Sequence, residues 1–165
     1  MSIEALPGVT PVFAGFVSYV RTYMRDHAEL NRLVRGQESS DRQIAFAIVD
    51  AVSDFNGTPP FTRIPLEALL QTYQLHSYLC RAAACVLVEG IGLLQTRNQA
   101  NYSAGGTNLG VNDKTPLLLG WYKTFKNEVE QKKMRVKVAM NIESCLSPAG
   151  VHSELFAINA TYAAY

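Results

Sequence analysis

With 165 residues, 48% of them hydrophobic, the chain is long enough to build one domain around a core and too apolar to stay disordered. Fifteen Lys and Arg against fourteen Asp and Glu leave a net charge of +1, which excludes a whole-molecule field drawing it to nucleic acid or anionic lipid. The three cysteines, Cys80, Cys85 and Cys145, form neither a CxxC nor a Cys/His ligand pattern, which points to reduced thiols, two of them buried in an apolar helix.

Residues 1–12, with Pro7, Gly8 and Pro11, read as an irregular N-terminal arm. Met1–Gly8 lacks the basic and long apolar regions of a secretory signal. Residues 13–146 then read as a helical domain. Phe13, Phe16, Val17, Val20, Met24, Ala28, Leu30 and Val34 recur at helical spacing, with Arg21, Arg25, Asp26 and Glu29 opposite and Gly36 as a stop. Ser40 and Gln43 have the spacing of a capping box, and Ile44, Ile48, Val52 and Phe55 follow on one face. Asn56-Gly57 ends that helix, and Thr58-Pro59-Pro60 cannot continue it.

Pro65 suits the first position of the next helix, whose dense apolar pattern runs unbroken from Leu66 to about Gln95. This helix is expected at the centre, bent near Gly90 and Gly92, with Ala82, Ala83, Ala84 and Gly90 admitting a close neighbour. Its most apolar stretch, Ala82–Leu94, is interrupted by Glu89 and reads as too short to span a bilayer. The polar segment Asn98–Val111 follows. Its runs Asn101–Ser103 and Thr107–Val111 flank Gly105-Gly106 and suit a short β-hairpin. Thr115-Pro116 opens the last long helix, with Leu118, Tyr122, Phe125, Val129, Val136 and Met140 on its apolar face. Ser147-Pro148-Ala149-Gly150 breaks it. Residues 147–165 read as an extended C-terminal tail with aromatic anchors. The fold class expected is mostly α: a bundle of about four helices with a glycine-rich loop or hairpin.

Catalytic and cofactor motifs find no foothold. Gly105–Gly110 lacks the Lys-Ser/Thr end of a phosphate-binding loop and does not sit between a strand and a helix. His27, His76 and His152 have no second ligand three or four residues away, and Ser103 and Ser153 lie in no nucleophile elbow. The expectation is therefore a protein that is not an enzyme and carries no metal or cofactor.

Two features suit binding to other macromolecules. Lys123, Lys126, Lys132, Lys133, Arg135 and Lys137 crowd the last helix, either as a solvated face that complements the helix dipole or as a docking surface for acidic groups. On both readings, glutamine at Lys132, Lys133 and Lys137 leaves the fold unaltered. Leu155, Phe156, Ile158, Tyr162 and Tyr165 follow a helix breaker with Glu154 as their only charged neighbour. They either pack back on the domain or dock on a neighbouring chain, and docking is the reading preferred here.

In its order of elements the chain resembles the head-to-tail connector (adaptor or head-completion, neck) proteins of tailed bacteriophages. The resemblance is carried by Thr58-Pro59-Pro60, the alanine-rich helix ending in Arg97-Asn98, and the loop Asn101-Tyr102-Ser103-Ala104-Gly105-Gly106. It continues through Trp121-Tyr122, Lys137-Val138-Ala139-Met140-Asn141 and Gly150-Val151-His152-Ser153-Glu154, and so covers roughly residues 40–154. It implies a structural virion subunit at the head-tail interface, made in the host cytoplasm. Such subunits form a homo-oligomeric ring that follows the portal, usually twelve-fold. The implied partners are the portal and the neck or tail proteins, with non-specific contact to DNA in the channel and no membrane. The glycine loop (Tyr102, Gly105, Gly106) and the tail are the regions the resemblance marks for partner binding. Lys132, Lys133 and Lys137 join them on charge. The alternative is a non-viral helical adaptor or regulatory module that binds a cellular protein.

Overall fold

The computed structural model describes residues 10–30, 36–97, 102–104, 107–109 and 115–146. Helices dominate: α1 (Pro11–Met24), α2 (Asp41–Gly57), α3 (Leu66–Gln71), α4 (His76–Arg97) and α5 (Thr115–Leu146). Between α4 and α5, β1 (Tyr102–Ala104) pairs antiparallel with β2 (Thr107–Leu109), with Tyr102 opposite Leu109. This is the mostly α bundle with a short hairpin that the sequence implies. Gly105, Gly106 and the tail, with Leu155, Phe156, Ile158 and Tyr162, lie outside the described residues.

The α4 helix is the central element, packed against both α5 and α2. Its Tyr78, Leu79, Cys80, Ala82, Ala83 and Leu87 join Phe16, Val17 and Val20 of α1, and Ile44, Ala47, Ile48, Ala51 and Phe55 of α2, in one core. Val129 closes the core from α5, flanked by Tyr122, Phe125, Val136 and Met140. Phe16, Val17, Val20, Ile44, Ile48, Phe55 and Val129 lie where the helical period places them, whereas α4 is buried around most of its circumference from Tyr78 to Ala84, and its apolar Leu93 and Leu94 are exposed. Burial pushes the Cys80 thiol up to about 12 and the Cys85 thiol up to about 11, so both stay protonated hydrophobes near neutral pH.

The start of α2 is as the sequence implies. The Ser40 hydroxyl accepts from the Gln43 amide, and the Gln43 side chain accepts from the Ser40 amide at 2.7 Å. Three boundaries and the reading of Gly90 differ. First, α1 stops at Met24, ten residues before Val34, where Arg25 takes a left-handed conformation (φ 54°). The cause lies one turn earlier. Arg21, expected on the polar face, is buried, and its guanidinium donates to the Asp26 carboxylate and main-chain carbonyl, to the Ser39 carbonyl and to Asp41 at 2.6 Å. Asp26 in turn accepts from the amides of Glu38 and Ser39, both at 2.7 Å. The chain leaves the helix to complete this buried node, as a buried charge requires.

Second, the helix expected over residues 66–95 is two. Thr72–Leu75 separates α3 from α4, with Gln74 at φ 51°. Third, Pro65 sits one position outside α3, at its N-cap. Fourth, α4 runs helical through Gly90 and Gly92 to Arg97, and a side chain at either glycine would meet nothing within 4 Å. Gly90 is therefore no site of close helix approach, whereas Ala82–Ala84 are buried. The His76–Leu94 stretch is also long and apolar enough to cross a bilayer, contrary to the reading of Ala82–Leu94 alone, but half of it is buried inside the protein's own core.

Candidate assembly surface

The lysine-rich helix does not form the basic face its sequence suggests. Lys133 is 4% exposed and Lys137 only 1%, because both point toward the body from α5. The Lys133 ammonium bridges Asp54 at 2.8 Å and Glu130 at 2.9 Å. Burial works against its charge, but the hydrogen bonds to Asp54 and Glu130 outweigh it and raise the pKa. Among the described residues no carboxylate pairs with Lys137. Its ammonium donates to the Pro60 carbonyl at 3.0 Å and the Thr62 hydroxyl at 2.8 Å, and lies 4.2 Å from the centre of the Phe55 ring. Burial first, then the Lys133 charge, lowers its pKa. Lys132 is half-buried. Of the three lysines marked for partner binding, two are structural cations, and both the solvated and the docking readings fail for them. Lys123, Lys126 and Arg135 remain exposed; Lys123 and Lys126 share one side of α5 and Arg135 lies well round the helix from them, and Lys126 donates to the Tyr122 hydroxyl at 2.9 Å.

What Lys137 holds is the loop between α2 and α3. Asn56 organises it from the helix end. Its side-chain amide donates to the Ile64 carbonyl at 3.0 Å, and its side-chain oxygen accepts from the Thr62 hydroxyl at 2.8 Å and the Ile64 amide at 3.2 Å. The Thr62 amide donates to the Asn56 carbonyl at 3.1 Å. Within the loop the Pro59–Pro60 peptide is cis. Lys137 therefore grips the chain on both sides of Phe61, while the Phe61 ring is 78% exposed, the most open of the large hydrophobic side chains among the described residues. A shallow groove lined by Ser53, Asn56, Gly57 and Arg63 runs beside it.

Other large apolar side chains reach solvent in groups. Met134, Val138 and Ile142 are exposed at four-residue spacing, forming a stripe on α5 opposite its core face. Phe46 and Val49 are exposed on α2. Leu93 and Leu94, with Leu117, Leu119 and Trp121, are exposed where α4 ends and α5 begins. Tyr19 and Tyr23 add an aromatic band: Tyr19 stacks on Phe16 at 5.8 Å, and Tyr23 meets Phe125, which in turn meets Trp121 at 5.7 Å. Arg81 and Glu128 pair across α4 and α5 on the surface.

Among the sequence-marked residues, Tyr102 lies in β1, and the tail and glycine positions fall outside the described residues. His76 packs edge-on to Phe16 and Tyr19, a ring contact rather than a ligand geometry. No cluster of three or more metal-ligating side chains occurs among the described residues. Sequence reading missed Asn56 and Phe61. Asn56-Gly57-Thr58-Pro59-Pro60 did signal an ordered break, but nothing in it tells an exposed Phe from a buried one. Comparison with protein-family models, curated proteins and solved structures finds no match.

Proposed function

We propose that this chain is a structural subunit of the head-to-tail connector of a tailed bacteriophage, a ring-forming adaptor between the portal and the neck or tail. The observation that carries the reading is the distribution of exposed apolar side chains: Phe61, the α5 stripe and the α4–α5 end lie on separate parts of a small body. A dimer buries one patch against itself. A subunit that must contact two neighbours around a ring and two partners along the axis needs several patches. The reading assigns the protein no chemistry of its own. Contact with DNA in a channel would run through exposed Lys123, Lys126 and Arg135, without the buried pair. The test is native mass spectrometry of the full chain mixed with the portal of its phage. A complex with as many copies as the portal has subunits is expected; a chain that never joins the portal overturns the reading.

The aromatic band of Tyr19, Tyr23 and Trp121 favours a second reading, a helical adaptor for a single cellular protein, because Tyr and Trp dominate binding hot spots. That protein would remain a monomer or dimer under the same measurement.

A further inference from the structure

We propose that the segment Glu154-Leu155-Phe156 of the chain's own tail docks in the groove beside Phe61, with the Glu154 carboxylate on Arg63 and Phe156 over the Phe61 ring. The contact lies within one chain and does not depend on the ring reading above.

Three observations point to this occupant. First, the groove carries an unmatched cation. Ser53 and Gly57 line it on the α2 side, and Phe61, Arg63 and Pro65 line it on the loop side. Arg63 is exposed, and no carboxylate pairs with it among the described residues. The acids nearby in sequence are engaged or belong to the opposite wall. Asp54 holds Lys133, and Glu67 accepts from the Thr10 hydroxyl at 2.8 Å. Asp50 is exposed one turn before Ser53 on α2. An arriving carboxylate is therefore repelled from the α2 wall, where the helix dipole also ends negative, and drawn to the loop wall.

Second, the tail offers the complementary charge in one place. Residues 147–165 lie outside the described residues, and Glu154 is their only Asp, Glu, Lys or Arg. Leu155 and Phe156 follow it directly, so carboxylate and ring arrive together, just as Arg63 and Phe61 are presented by one loop. Third, the segment has the reach. The α5 helix passes the loop at Lys137, which binds Pro60 and Thr62. It ends at Leu146, about 14 Å further along its axis. From Leu146 to Glu154 an extended chain spans up to about 26 Å, enough to turn at Ser147-Pro148-Ala149-Gly150 and return to Arg63. A segment tied to the same chain meets the groove at an effective concentration on the order of millimolar, an advantage no second copy has in dilute solution. Docked, it screens Phe61, the most open large hydrophobic side chain among the described residues.

Thiol labelling of the full chain tests this. The exposed native thiol is removed with Cys145→Ser; Cys80 and Cys85 are buried. Ser53→Cys then places a reporter on the exposed α2 wall of the groove. Alkylation of that thiol is expected to be about tenfold slower than in the same chain carrying Glu154→Lys and Phe156→Asp, which corresponds to a docking free energy of about 1.4 kcal/mol. Glu154→Lys alone should recover much of the rate, and adding Arg63→Glu to it should restore protection, because the pair is then reversed. Melting temperatures that match the parent confirm that each variant is folded. Equal rates in all variants would overturn the proposal. Protection lost with Glu154→Lys and not regained in the reversed pair would take Arg63 out of the site and overturn it too. Protection that rises with protein concentration would put a second copy's segment in the groove, overturning the contact within one chain and leaving the ring reading intact.

Discussion

Lys123 and Lys126 lie about three turns from Lys133 and Lys137 on the same helix, yet the two pairs have opposite fates. The first pair lies where α5 is largely open to solvent, and its charges are hydrated. The second faces the body where α2 ends, and each ammonium replaces its lost water with fixed acceptors: two carboxylates for Lys133, a carbonyl, a hydroxyl and an aromatic face for Lys137. A cluster of like charges in sequence says nothing about which members remain available to a partner. Burial decides that, and burial depends on what the next element brings alongside.

Substitution should separate the pairs. The largest effect is expected for Lys137→Ala, which removes two charge-assisted hydrogen bonds and leaves the Pro60–Thr62 chain without its anchor. A loss of about 2–4 kcal/mol is expected, read as a fall in the urea midpoint. A loss below 1 kcal/mol would mean that Asn56 alone orders the loop. This corrects the expectation that glutamine at Lys132, Lys133 and Lys137 leaves the fold untouched, which should survive only for Lys132.

Next comes Lys133→Gln, expected to cost about 1–2 kcal/mol at neutral pH. Its pH dependence has a definite sign. Because the folded pKa is raised, the Lys133 contribution is fully present below the unfolded value of about 10.4 and is lost as pH rises through the folded pKa. The gap between parent and Lys133→Gln stabilities should therefore narrow only as pH rises above about 10.4 in alkaline urea titrations. A gap that stays constant to pH 11.5 would remove charge from the explanation.

Lys123→Gln with Lys126→Gln should change stability by less than about 0.5 kcal/mol, since exposed pairs and hydrogen bonds contribute little. The smallest effect is expected at Tyr78. Its hydroxyl is buried without a hydrogen-bond partner, and burial first, then Asp54 and Glu130, pushes its pKa upward. Removing an unsatisfied group relieves its desolvation, so Tyr78→Phe should be neutral or stabilising, in contrast to the satisfied Lys137 nearby.

The sequence carried the periodic elements well. The α2 start was legible because a capping box is local chemistry, and the core faces of α2 and α5 because period needs no partner. The break at Thr72–Leu75 was silent. Leu75 is buried and preserves the apolar rhythm, and Gln74 takes its left-handed conformation with no glycine or proline to announce it. The end of α1 was silent for a different reason: Arg21 reads as polar surface until Asp26, Ser39 and Asp41 are placed around it. The candidate surface was the least legible part. Buried Lys137 and exposed Phe61, Met134 and Val138 invert the usual preferences of their residue types, and only the packing of α5 against the α2–α3 loop reveals it.

The Arg21–Asp26 node has a consequence for chain length. Both ends of the segment from residue 27 to residue 37 are fastened at one carboxylate, since Asp26 begins it and binds the amides of Glu38 and Ser39 that follow it. Closing the chain at that carboxylate costs an entropy that rises by about 0.6 kcal/mol for each doubling of the length enclosed. The node thus acts as a clasp between the end of α1 and the start of α2, so that a change at Asp26 reaches both helices at once.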